Sequence, residues 1–277
     1  NVITTNNPQN IGEILTKSPK IKKISFTGSS EVGKILIKQS SSTVKKLSME
    51  LGGNAPFIIF DDADIDSAVE GVMLSKFRNS GQTCICANRI YVQEGVYKLF
   101  LEKFISKVKN QKLGSGLDPS VEIGPLINKK ATNKVLKILD DALSKGAKIL
   151  LGGKKHSKGD NFIEPTIVTN ISDNMLICSA EIFGPVAAIY SFDDEKEIIK
   201  TANNSRAGLA AYFYGKDNSK IWRTAEALEY GMVGVNTGFI STNLAPFGGV
   251  KESGYGREGS KYGINEYIVL KYICMKI

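Results

Sequence analysis

Residues 77–89 read F-R-N-S-G-Q-T-C-I-C-A-N-R. This stretch joins a helical pattern to an apolar strand pattern, so Cys84 falls on the connection between two regular elements. A thiol on a glycine-containing loop held by rigid flanks suits a nucleophile, because scaffolded loops carry chemistry. The other reading is a small apolar residue that only packs. What lies on either side decides between them.

Toward the N-terminus, Asp61, Asp62 and Asp64 offer N-caps for a helix running through Phe77, with Ile65, Ala68, Val69, Val72 and Met73 on one side. Residues 54–60 are apolar and read as buried. Before them, residues 21–26 and 44–49 predict strands separated by T-G-S-S-E-V-G and a helix whose Val32, Ile35 and Leu36 share a face. Toward the C-terminus, strands are predicted at 89–93, 148–151, 162–168, 186–192, 209–214 and 232–236. Helices are predicted at 95–109, 129–145, 195–203 and 219–230. Strands alternating with helices argue a predominantly parallel sheet and the α/β class. A glycine-dense loop from Pro246 to Gly259 leads to an alternating tail, residues 267–275. Such a strand exposes an unpaired edge unless another element or subunit covers it, so it is read as an oligomer contact.

Composition narrows the function classes. A chain of 277 residues with 42% hydrophobic content can build one large domain or two ordinary ones. The net charge is +8, but the lysines are scattered and lack interleaved aromatics, which argues against a nucleic-acid partner. Four cysteines without zinc-ligand spacing, and one histidine, His156, in a polar loop, argue against a metal site and a disulfide scaffold. No apolar run approaches the roughly 18 residues of a membrane span. The chain reads as soluble and cytoplasmic, or mitochondrial if a presequence lies upstream.

Two more places carry chemistry. The turn from Gly28 to Gly33 opens a helix after a strand, where free amide groups and the helix dipole favour an anion; an ordinary βα turn is the plainer reading. Glu50 ends a predicted strand before Leu51-Gly52-Gly53. Ligands of open α/β sheets bind at the carboxyl ends of strands, so Glu50 is either a base or a capping acid.

Together, Phe26-Thr27-Gly28-Ser29 with Gly33, Glu50-Leu51-Gly52-Gly53, Gly81-Gln82-Thr83-Cys84, Glu181-Ile182-Phe183-Gly184-Pro185 and Pro246-Phe247-Gly248-Gly249 resemble the motifs of the aldehyde dehydrogenase superfamily, in order and across essentially the whole chain. Arg78, residues 84–89 and residues 256–263 are most similar to its succinate-semialdehyde dehydrogenases. The resemblance implies part of a Rossmann-like cofactor domain in residues 1–52, an α/β catalytic domain in 53–252, and a C-terminal return with an oligomerisation strand in 253–277. It implies Cys84 as nucleophile and Glu50 as the base that activates water against a cysteine thioester. It also implies NAD or NADP as cofactor, bound by Gly28, Ser29, Gly33, Leu51, Glu181 and Phe183.

A semialdehyde with a distal carboxylate needs a cation and donors opposite it. Arg78 fits that need, with Ser241 as its hydroxyl partner, against the alternative of a surface arginine at a helix end. Cys86 is either a packing residue or, by resemblance, a redox partner of Cys84. The expected partners are a small aldehyde and further copies of the chain, in a dimer or tetramer. Measured against the family, the chain lacks the upstream region that supplies most of the cofactor sheet. A non-catalytic fragment of the same fold and a dehydrogenase for another aldehyde therefore remain open readings. A CoA-acylating enzyme is disfavoured by Glu50, since it needs no water-activating base.

Overall fold

Helix α1 (Pro8–Lys17), strand β1 (Lys23–Thr27), helix α2 (Ser30–Ser40) and strand β2 (Lys46–Glu50) follow one another in the computed structural model, which describes all 277 residues. They belong to a unit formed by residues 1–52 and 241–277; residues 53–240 form a second. In the first unit β1 and β2 are parallel, with Lys23 opposite Lys46 and Thr27 opposite Glu50. Parallel neighbours need a crossover, and α2 supplies it. Its N-cap is Ser29, whose hydroxyl accepts from the Val32 amide. The short strand Gly254–Tyr255 adds antiparallel to the other edge of β2, placing Gly254 opposite Glu50.

Of the face predicted for α2, Leu36 is half-buried while Val32 and Ile35 are exposed. The tail predicted as a strand forms no ladder. Residues 268–277 are exposed and pair with no strand, because a strand needs a neighbour and this chain offers the tail none.

The second unit holds β3 (Ala55–Ile59), α3 (Ile65–Phe77), β4 (Ala87–Gln93), α4 (Glu94–Lys109), α5 (Lys129–Ser144), β5 (Lys148–Leu151), β6 (Thr166–Thr169), β7 (Val186–Phe192), α6 (Glu195–Asn203), β8 (Ala210–Tyr214), α7 (Asn218–Ala227) and β9 (Met232–Val235). Seven strands form one sheet in the order β9-β8-β3-β4-β7-β6-β5. Every neighbouring pair is parallel except β5 with β6. Strand β6 starts at Thr166, later than the predicted Phe162, directly after Pro165, which has no N–H to donate to a ladder.

All five side chains of β3 are buried, the mark of a central strand covered on both faces. Ile58 and Phe60 pack with Ile198, Phe213 and Leu228. Phe57 stacks on Tyr212 and Tyr214, and Phe77, Phe100 and Phe104 form a stacked run between α3 and α4. The N-cap of α3 is Asp64, which accepts from the Ser67 amide. Asp62 instead accepts from the amides of Lys216 and Asp217. No helix is long and apolar enough to cross a membrane.

Candidate active site

The loop that carries Cys84 begins with unusual backbone. Helix α3 ends at Phe77, and Asn79, Ser80 and Gly81 then take left-handed angles in succession, with φ of 53°, 57° and 74°. For Asn79 and Ser80 such angles cost about 1–3 kcal/mol each, so surrounding bonds must hold them. The Asn79 amide donates to the Gln82 carbonyl at 3.0 Å and the Ser80 hydroxyl to the Gly124 carbonyl at 3.0 Å. The Gln82 side-chain oxygen accepts from the Ile127 amide at 2.9 Å.

Past this turn, the amide of Cys86 donates to the Thr83 carbonyl and the buried Tyr212 hydroxyl to the Ile85 carbonyl at 2.9 Å. Cys84 stands half-buried at the head of the loop, outside any disulfide. Cys86 is buried, and its thiol donates to the Lys76 carbonyl at 3.5 Å.

Gly53 brings this loop to a second one. A Cβ at residue 53 would lie 2.1 Å from the Cys84 carbonyl oxygen, so only glycine allows the approach. The Gly53 amide meanwhile donates to the Glu181 carboxylate at 3.1 Å. Cys84 and Glu181 are thus held to one backbone position. Phe183 follows with φ of 55°, a strained angle for an aromatic residue, and its ring is partly exposed.

Arg78 sits at the C-terminal end of α3, half-buried, with its guanidinium carbon 5.1 Å from the centre of the Phe239 ring. It makes no hydrogen bond or ion pair within its unit. A guanidinium has five N–H donors, so a half-buried one without an acceptor is poised for an anion.

The first unit contains the other predicted residues. Glu50 is 5% exposed at the end of β2, and neither carboxylate oxygen has a hydrogen-bond partner. Burial raises its pKa to about 8; the nearby Glu258 carboxylate adds to the rise and the Arg257 guanidinium opposes it. Arg257 is itself fixed by donating to the carbonyls of Gly249 and Gly256. Leu51 donates its amide to the Ser253 carbonyl.

The Gly28 amide donates to the Glu50 carbonyl at 3.0 Å, which ties the predicted phosphate turn to the strand that carries Glu50. A Cβ at Gly33 would lie 2.6 Å from the Leu51 side chain, so the α2 N-terminus packs closely on that side chain. A glycine-tight helix N-terminus capped by Ser29 fits a dinucleotide's phosphates. Ser241 opens the return of the chain and is half-buried.

Sequence reasoning passed over Tyr212, Phe239, Arg257 and Glu258 as site residues. Tyr212 and Phe239 give no signal in sequence, being aromatics in an apolar strand and a loop. Arg257 and Glu258 fall within the motif at residues 256–263, which carried no role for either.

A model described as "Aldehyde dehydrogenase family" matches residues 1–273. Among curated relatives, a mitochondrial succinate-semialdehyde dehydrogenase of Oryza sativa subsp. japonica is 58% identical over 275 residues, 99% of this chain and 52% of the relative. The NADP(+) succinate-semialdehyde dehydrogenase of Escherichia coli (strain K12) is 54% identical over 273 residues, 99% of this chain and 57% of the relative. The crystal structure of succinate-semialdehyde dehydrogenase from Burkholderia pseudomallei superposes with a TM-score of 0.97 at 52% identity, covering 100% of this chain and 57% of that one. The chain spans about half the length of the curated relatives it matches.

Proposed function

We propose, because this chain belongs to the aldehyde dehydrogenase family, that the full-length protein oxidises an aldehyde bearing a distal carboxylate, succinate semialdehyde foremost, to the acid. The observation that carries the substrate class is the Arg78 guanidinium, half-buried beside the nucleophile loop with no acceptor of its own.

The Cys84 thiolate adds to the aldehyde carbon to give a thiohemiacetal, and the Cys84 amide is assigned as a donor to the oxyanion. Bound NAD or NADP would supply the hydride acceptor that oxidation of this adduct to a thioester requires. Glu50, ionised, takes a proton from water as the water attacks the thioester; the acid leaves and the thiolate returns. A carboxyl group with a pKa of about 8 is a stronger base than an ordinary glutamate and is partly ionised near neutrality. Gly28, Ser29 and Gly33 would hold the cofactor phosphates, Leu51 its backbone near the nicotinamide, and Glu181 and Phe183 the nicotinamide end.

Ser241 is assigned to the substrate carboxylate with Arg78. Cys86 is assigned a reversible disulfide with Cys84, the two thiols giving up two protons and two electrons to an external peroxide or disulfide oxidant, which would first require the buried Cys86 thiol to leave the Lys76 carbonyl. The exposed apolar tail, with Tyr267, Val269, Leu270 and Ile273, is assigned to contact with a further copy. The test follows NAD(P)H absorbance in the full-length protein. Cys84→Ala abolishes turnover, and Arg78→Gln raises KM for succinate semialdehyde far more than for a neutral aldehyde. Equal losses with both aldehydes would refute the Arg78 assignment.

A further inference from the structure

The support beneath Arg78 bears on how selective it is. Phe239 lies on the loop after β9, and that loop is fixed at two points. A Cβ at Gly238 would fall 2.0 Å from the Gly71 carbonyl oxygen, so the loop backbone presses on the backbone of α3. The Thr237 hydroxyl accepts from the Phe239 amide at 3.2 Å and donates to the Phe239 carbonyl at 3.1 Å. Arg78 stands at the end of that same helix α3. Ring and guanidinium are therefore carried by two elements clamped together, and the 5.1 Å separation is the distance at which an aromatic face attracts a cation. Phe239 remains 47% exposed, and the Arg78 guanidinium lies against its ring.

Resting on the substrate class proposed above, we infer that Phe239 is a specificity-determining residue: its ring shields the Arg78 guanidinium and orients its forked donors toward the distal carboxylate of the substrate. An arginine on a flexible stem loses rotamer freedom each time it grips an anion; one already laid against a ring loses less, and its donors meet both carboxylate oxygens at once. The selected class is a planar, bidentate anion at the end of a short aldehyde.

The experiment measures, in the full-length enzyme, the ratio of kcat/KM for succinate semialdehyde to kcat/KM for a neutral aldehyde of similar length. It uses Phe239→Leu, Phe239→Met, Phe239→Tyr, Arg78→Gln and the double variant Arg78→Gln/Phe239→Leu. Succinate affinity is measured alongside by calorimetry. Both aliphatic variants should lower the ratio about two- to fivefold and weaken succinate by a similar factor, while Phe239→Tyr, which keeps the ring, preserves both. In the Arg78→Gln background, Phe239→Leu should add nothing. An unchanged ratio in both aliphatic variants overturns the inference, as does an equal fall with and without Arg78. A ratio untouched by Arg78→Gln overturns the substrate class itself, a different result from failure of the Phe239 variants alone.

Discussion

At the residue scale the site turns on what surrounds two side chains. Glu50 is a buried carboxyl without hydrogen bonds, and its proton leaves near pH 8. Below that pH the neutral acid cannot accept a proton from water, so acyl release should rise with pH toward about 8 and then level. A pH profile of kcat checks this, with Glu50→Gln losing the rising limb. Glu258→Gln should move the midpoint down, because a neighbouring negative charge disappears, and Arg257→Met should move it up.

The same shift has a stability signature. The folded pKa lies above the unfolded one, so the Glu50 contribution is fully present below about pH 4.5 and is lost as pH rises to about 8. Thermal melts should therefore show Glu50→Gln gaining on the parent across that window. Gly53 makes the complementary case for geometry. Gly53→Ala drives a methyl into the Cys84 carbonyl, and a displacement near 1 Å at the nucleophile costs on the order of a hundredfold in kcat.

At the scale of elements, the Cys84 loop holds strained backbone that bonds from outside it keep in place. Tyr212 on β8 bonds the Ile85 carbonyl across the sheet. Tyr212→Phe removes that donor and leaves a buried carbonyl unpaired, costing about 1–3 kcal/mol in unfolding experiments and slowing alkylation of Cys84 by iodoacetamide.

The alternation of strands and helices was legible because period-2 and period-3.6 patterns are local. The loop motif was legible because Gly81-Gln82-Thr83-Cys84 sits between two strong patterns. The Tyr212 bond and the Phe239 contact were not, since each joins positions far apart in sequence and depends on strand order. The place of Glu50 at a strand end was legible, but the burial that raises its pKa is a tertiary property, and its neighbours Arg257 and Glu258 reach it only through the antiparallel return of Gly254–Tyr255 along β2. The tail shows the converse limit: its alternating pattern is strand-like, yet pattern alone cannot supply the neighbouring strand that a ladder needs.

At the scale of the whole molecule, the exposed tail predicts assembly. Removing residues 268–277 from the full-length protein should reduce its mass by sedimentation to that of a smaller assembly or a monomer, and an unchanged oligomer would remove the tail from the contact. The central claim is that Cys84 holds the acyl group and Glu50 releases it, and it is most directly tested by intact-mass and peptide mass spectrometry of full-length Glu50→Gln after mixing with succinate semialdehyde and NAD(P)+. The account predicts a succinyl thioester that accumulates on the Cys84 peptide with a single burst of NAD(P)H. Sustained turnover without an adduct, or an adduct on Cys86, Cys178 or Cys274 in its place, would contradict it.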